Sequence, residues 1–290
     1  MKKFIKSLII FLAIPSIYFG ANMLINRFIY VNEELPMTYK NVLIAGDSHP
    51  QLSINENYFS NAQNISQTAE PYVLTFWKLK KILNTIKPDT LILGFAPHNI
   101  SQFNDFKFTR QPWVNEMMKR AYPIIEFDTP LIDYSIYRQV LWKQTAFYPK
   151  QNHIIYLSKF SNESTSTNFS KWKKTVKTHY FDGRKELQVS EISKNYLDSI
   201  VDLCQVKNIS LVLTSHPLHK KYINEIPIDI MEEYLRLNIK YSKSHIVFDR
   251  TTDHYPDSLF FNIDHLNGVG AKKFTKELIS HLNTIAKTQN

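Results

Sequence analysis

Cysteine is nearly missing from this chain. Of 290 residues only Cys204 carries a thiol, which excludes an intrachain disulfide and any zinc site built on cysteines. A small disulfide-stapled secreted domain is excluded with it, whereas cytosolic and bacterial extracytoplasmic compartments both stay compatible. Glycine is scarce too, with six in all, so one standing at the end of an apolar run asks for a reason. No internal repeat is present. Against these absences, 43% hydrophobic and 21% charged residues are the proportions of a folded chain. The length allows one substantial core or two small ones, and 19 Phe with 16 Tyr predict a core and clefts rich in rings.

Charge is also absent from Ser7 to Ile25, in "MKKFIKSLIIFLAIPSIYFGANMLINRF". About 20 such residues cross a bilayer, and Pro15 is tolerable within a membrane helix. Lys2, Lys3 and Lys6 precede the run, so the positive-inside rule sends everything after Asn26 outside. A cleaved signal peptide is the competing reading. No small-x-small site follows the run, which favours a retained anchor over residues 1–29 and a domain over 30–290. The expected location is a bacterial plasma membrane, single-pass, with the C-terminal domain extracytoplasmic. The net charge is +9; the three leading lysines leave about +6 for the rest. Outside a membrane, phospholipid headgroups or acidic glycans fit that charge better than nucleic acid; a basic surface kept for solubility fits equally.

Along the chain, apolar stretches predict strands at Asn41–Ala45, Thr90–Gly94, Ser210–Thr214 and His245–Phe248, and Ala62–Ile65 has room for a second short strand after the first. Helical spacing predicts helices at Pro71–Ile86, Leu187–Val206, Ile228–Tyr241 and Val269–Ile285. This alternation argues a parallel sheet covered on both faces, whose ligand chemistry lies at the carboxyl ends of the strands. Between Ser101 and Lys185 the alternation fails in an aromatic, basic stretch. We read it as a partly helical insertion over the active edge of the sheet, or as an irregular packing layer.

Three segments with chemistry would meet at that edge. "NVLIAGDSHP" puts Ser48 at the end of the first strand, "GFAPHN" puts Asn99 after the Thr90–Gly94 strand, and "NIDHLNGVGAKKF" puts His265 before the last helix. A serine hydroxyl becomes a nucleophile when a base lies within hydrogen-bond reach, and donors must face the developing oxyanion. Asp47 reads as a structural holder of the Ser48 loop. The bland alternatives are a turn-capping Ser, a helix-capping His and an ordinary loop Asn.

"GDSH" together with "DHLNGVG" resembles the SGNH, or GDSL-type, hydrolase superfamily, from about Asn41 to the C-terminus apart from the insertion. The resemblance implies a flavodoxin-like three-layer α/β/α sandwich with a parallel sheet. It implies Ser48 as nucleophile, His265 as base, and oxyanion donors from the Ala69 N–H and the Asn99 amide. Where the family commonly has Asp three residues before the His, this chain has Asn262. Asp264 stands beside His265, and adjacent side chains rarely orient one another; a Ser–His dyad, or recruitment of Asp253 or Asp264, are the alternatives. His49 and His216, the latter in "SHPLH", are expected to border the substrate pocket.

Metallophosphoesterases also open on strand-Asp-x-His, here Asp47 and His49, and end on paired histidines such as His216 and His219. Their second Gly-Asp block and Gly-Asn-His block are lacking, so no metal or other cofactor is expected. The implied activity is a serine-dependent acyl esterase or O-acyltransferase on a cell-envelope glycan or lipid, with an acylated glycan or acyl carrier as substrate. The alternative is a non-catalytic accessory of envelope polysaccharide assembly, working with other assembly proteins.

Overall fold

The computed structural model describes residues 1–127, 129–162 and 164–289. In chain order its elements are α1 (Lys2–Asn32), β1 (Val42–Ala45), α2 (Ser48–Ser53), β2 (Ala62–Asn64), α3 (Tyr72–Ile82), β3 (Thr90–Gly94), α4 (Phe103–Thr109), α5 (Trp113–Ala121) and α6 (Tyr134–Thr145). There follow α7 (Trp172–Tyr180), the two-residue strands β4 (Phe181–Asp182) and β5 (Lys185–Glu186), and α8 (Glu191–Lys207). The chain closes with β6 (Ser210–Ser215), α9 (Lys220–Ile223), α10 (Ile228–Ser242), β7 (Ile246–Asp249) and α11 (Gly268–Gln289). The chain clusters into two units: Met1–Met37 with Phe108–Tyr156, and Thr38–Lys107 with Leu157–Asn290.

The second unit is built on one sheet in the order β2-β1-β3-β6-β7, with every neighbouring pair parallel. Counting only these five strands, the order is 2-1-3-4-5, that of flavodoxin-like doubly wound sheets. Register aligns Ile44 with Ile92 and Ile92 with Val212. These side chains share a face and join Phe248, Phe274 and Leu278 in one buried cluster, so α11 covers that face. Leu43, Leu91, Leu93, Leu211 and Leu213 take the alternate direction and are equally buried; α3 packs against α8. The central strands β1, β3 and β6 are mostly apolar because both faces are covered, whereas the edge strand β2 is Ala-Gln-Asn.

Helix ends explain where the predicted boundaries move. Ser190 caps α8 by accepting the Ser193 N–H, so that helix starts at Glu191 rather than Leu187. Asn267 accepts the N–H groups of Val269 and Gly270 and starts α11. Beneath β2, Lys78 and Glu70 form a fully buried ion pair at 2.7 Å. The Lys78 ammonium also donates to the Ile65 carbonyl, and Thr75 donates to the other Glu70 oxygen.

In the first unit α6 packs against both α1 and α5. As a helix, α1 is long and apolar enough to cross a membrane. Its buried residues are polar, Asn22 and Asn26. The Asn22 amide donates to the Ala146 carbonyl, and that of Asn26 to the carbonyls of Thr145 and Tyr148. Tyr18 donates to Phe147 O and Tyr30 to Pro123 O. Tyr18, Asn22, Asn26 and Tyr30 recur every four residues, which puts them on one face.

Candidate active site

Strand β1 ends at Ala45, and the next residue is the glycine whose presence the sequence left to be explained. Gly46 has φ +129°, and a Cβ there would lie 2.9 Å from Pro50 Cγ and 3.2 Å from the Gly94 backbone N. Only glycine meets both demands, conformation and close approach. Gly94, at the end of β3, leaves room for the same ring: its Cβ would fall 2.6 Å from Pro50 Cδ. The chain can then turn straight into α2, with Asp47 as N-cap accepting the His49 N–H at 2.9 Å and Ser48 as the first helical residue. Pro50, in the first turn, sacrifices no intrahelical hydrogen bond. This short helix had no periodic signature in the sequence.

Ser48 meets His265 here. The Ser48 hydroxyl lies 2.8 Å from Nε2 of His265. The other ring nitrogen, Nδ1, is 3.1 Å from Asn262 Oδ1 and 3.2 Å from Asp264 Oδ1. Both oxygens are acceptors, so Nδ1 carries the proton and Nε2 presents a lone pair to the serine. Asp264 therefore does face the imidazole next to it in sequence, contrary to the expectation that neighbours seldom do. The reason is local: Asn262 Oδ1 accepts the N–H groups of Asp264 and His265 at 3.0 and 2.8 Å, a tight turn that folds the carboxylate back onto the ring. Asp253 is engaged elsewhere, with Arg250. His265 keeps 15% of its side chain exposed.

Behind this pair lies a buried layer that the sequence showed only in part. Asp47 Oδ2 accepts from His98 Nε2 at 2.6 Å and from the Asn99 amide at 2.8 Å. His98 sits in the loop after β3, where ligand chemistry is expected, but no motif in the sequence marks it. Asn99 thus spends one N–H on Asp47, while its Oδ1 accepts the Ala96 N–H. The second amide N–H lies 3.3 Å from His98 Nε2, which already carries a proton and cannot accept. Ala69 takes φ +62°, a left-handed conformation that glycine adopts more readily. His49 and His216 are buried rather than lining an open pocket. The His49 ring is packed between His98 and His216, with centroids at 4.1 and 4.4 Å, and is 5.2 Å from His265. His216 Nε2 donates to the Asp264 carbonyl at 2.9 Å. His179, from the aromatic stretch, stacks on His98 and bonds Tyr222.

The electrostatics single out one imidazole. Burial alone would lower His265, but the Asp264 carboxylate beside it outweighs that and raises its pKa above 6.5. Asp264 is held near 2: burial works against its charge, and the His265 imidazole more than compensates. Burial pushes His49 well below the usual range, with the His98 and His216 rings adding to it. The same cause brings His216 to about 4 and His179 to about 3. Asp47 stays ionised: burial opposes its charge, while His98 and the His49 N–H favour it. Neighbouring titratable groups driven apart in this way are the usual mark of an acid–base site.

The fold and site thus define a flavodoxin-like α/β domain with a serine–imidazole–carboxylate array at the carboxyl edge of its sheet. No protein-family model matches the chain, and no curated protein does. Among solved structures it is similar to a Bacteroides fragilis NCTC 9343 protein provisionally named an acylhydrolase, at 11% identity and TM-score 0.44, over 91% of this chain and 96% of that one. It is also similar to a Streptococcus pneumoniae protein provisionally named a platelet activating factor, at 12% identity and TM-score 0.43, over 96% and 98%.

Proposed function

We propose that this protein is a membrane-anchored, extracytoplasmic serine esterase or O-acyltransferase acting on acyl esters of a cell-envelope glycan or lipid. The observation that carries the reading is the 2.8 Å contact between Ser48 Oγ and His265 Nε2, with Nδ1 committed to acceptors on the far side. Ser48 attacks the ester carbonyl while His265 takes its proton; the Ala69 N–H and the free amide N–H of Asn99 are the candidate oxyanion donors. His265 returns the proton to the leaving alkoxide. Water or a sugar hydroxyl then releases the acyl group from Ser48, giving hydrolysis or transfer.

Membrane anchoring is supported by α1 and by the rings exposed beside it in the first unit, among them Trp142, Phe147 and Tyr148. Aromatic side chains of this kind favour the bilayer interface. Retention of α1 is supported by Asn22 and Asn26, whose side chains bond residues 145–150; removing the helix would strand those partners.

A second reading, a non-catalytic accessory of envelope polysaccharide assembly, is favoured by the Asn99 amide, one N–H of which is spent on Asp47. A fluorophosphonate probe separates the two. Labelling lost in Ser48→Ala is expected of the enzyme; an unlabelled but folded wild-type protein rules the enzyme out.

A further inference from the structure

Buried polar atoms are almost always partnered, and those that are not call for an explanation such as an ion. Around His265 such atoms converge. Among the described residues, both ring nitrogens of His49 lack a hydrogen-bond partner, as do Nδ1 of His98 and Nδ1 of His216. Neither carboxylate oxygen of Asp264 completes an aligned hydrogen bond, although Oδ1 faces His265 Nδ1 at 3.2 Å. His49, His98, His216 and Asp264 are each more than nine-tenths buried.

We propose that this cluster binds one zinc-class ion through His49, Asp264 and His265, and that the bound ion silences Ser48. One donor atom from each of the three lies within 4.8 Å of the others. A tetrahedral zinc site needs donors about 2.0–2.2 Å from the ion, which small side-chain rotations supply. Two nitrogens and one carboxylate oxygen suit zinc and disfavour magnesium, which prefers oxygen and retained waters. His216 donates its Nε2–H to the backbone carbonyl of Asp264 and so holds in place the residue whose carboxylate would bind the ion.

Silencing follows from the imidazole itself. A neutral ring has one lone pair available and one N–H. Whichever His265 nitrogen binds the ion, the other carries hydrogen, and no lone pair is left to take the Ser48 proton. Binding stands by itself; the silencing rests on the acyl-ester reading above.

The experiment uses the full chain, purified in detergent, stripped with a chelator and dialysed against zinc chloride, with bound metal counted by mass spectrometry. One zinc per chain is expected in wild type and in Ser48→Ala. His49→Phe, which keeps a ring between His98 and His216, should lose at least nine-tenths of it at equal free zinc. If His49→Phe fails to fold by circular dichroism, Asp264→Asn serves in its place, with the same loss expected. Absence of stoichiometric zinc in wild type, or a folded variant that binds like wild type, overturns the site. Stoichiometric zinc should lower fluorophosphonate labelling of wild type at least tenfold, reversed by chelator. Labelling unchanged or increased by bound zinc overturns the silencing. If metal-free wild type is never labelled, the acyl-ester reading fails, and with it the silencing, while zinc stoichiometry still decides the site.

Discussion

The Asp264 carboxylate stands 3.2 Å from Nδ1 of His265, the residue immediately after it. Asn262 Oδ1 shares the same nitrogen at 3.1 Å. One contact supplies charge and the other holds the tautomer. A triad whose Asp becomes Asn loses about 10⁴ in rate through the wrong tautomer; here Asn262 guards against that. Asp264→Asn should therefore reduce kcat/KM on a nitrophenyl ester by about 10²–10³-fold, with the circular dichroism spectrum unchanged. A loss below threefold would show that Asp264 does not act through His265.

The raised pKa of His265 fixes the sign of the pH dependence in metal-free enzyme. His265 must be neutral to accept the Ser48 proton, so activity disappears as pH falls through its pKa. That value lies above 6.5, so the acid limb of kcat/KM should have its midpoint above 6.5. In Asp264→Asn the raising charge is gone and burial prevails, so the midpoint should move below that of wild type. Titration of kcat/KM with pH for both proteins checks this; a limb that stays in place refutes the assignment.

Stability should depend on the Lys78–Glu70 pair. Lys78→Met leaves a fully buried carboxylate without its cation and should cost about 3–5 kcal/mol. Adding Glu70→Leu removes the stranded charge and should recover much of the loss. Urea unfolding of the three proteins tests the order; a single variant no less stable than the double one would contradict it.

Gly46→Ala should be poorly tolerated because a Cβ meets Pro50 and the β3 backbone at φ +129°. Strain of this kind costs about 1–3 kcal/mol. Since Ser48 follows two residues later, fluorophosphonate labelling should fall along with the unfolding midpoint. Labelling and midpoint both equal to wild type would remove the steric argument.

The three central strands were legible because both faces of the sheet are covered there, which writes each as a short apolar run: "VLIA", "LILG", "LVLT"; the edge strand β2, "AQN", carries no such run. Ser48 and His265 were legible because each stands where a strand or helix boundary can be read. Helix α2 was hidden: "SHPQLS" has no apolar period, and its start depends on a cap from Asp47. His98 had a signal, since it lies in the same strand-end loop as Asn99, but the family pattern drew attention to the Asn. His179 had none, because only folding brings position 179 to position 98. The grouping of α1 with residues 108–156 depends on Tyr18, Asn22, Asn26 and Tyr30, a polar repeat of four that begins inside the apolar run and continues past its end.

Those asparagines also set an order of events during synthesis. Their hydrogen-bond partners lie 119 to 124 residues further along the chain. At about 5–20 residues per second, roughly 6–25 s separate the emergence of α1 from that of the backbone that satisfies its amides. Helix α1 thus waits, with its amides unpaired, for chain made later, and any factor that shields its polar stripe has that interval in which to act.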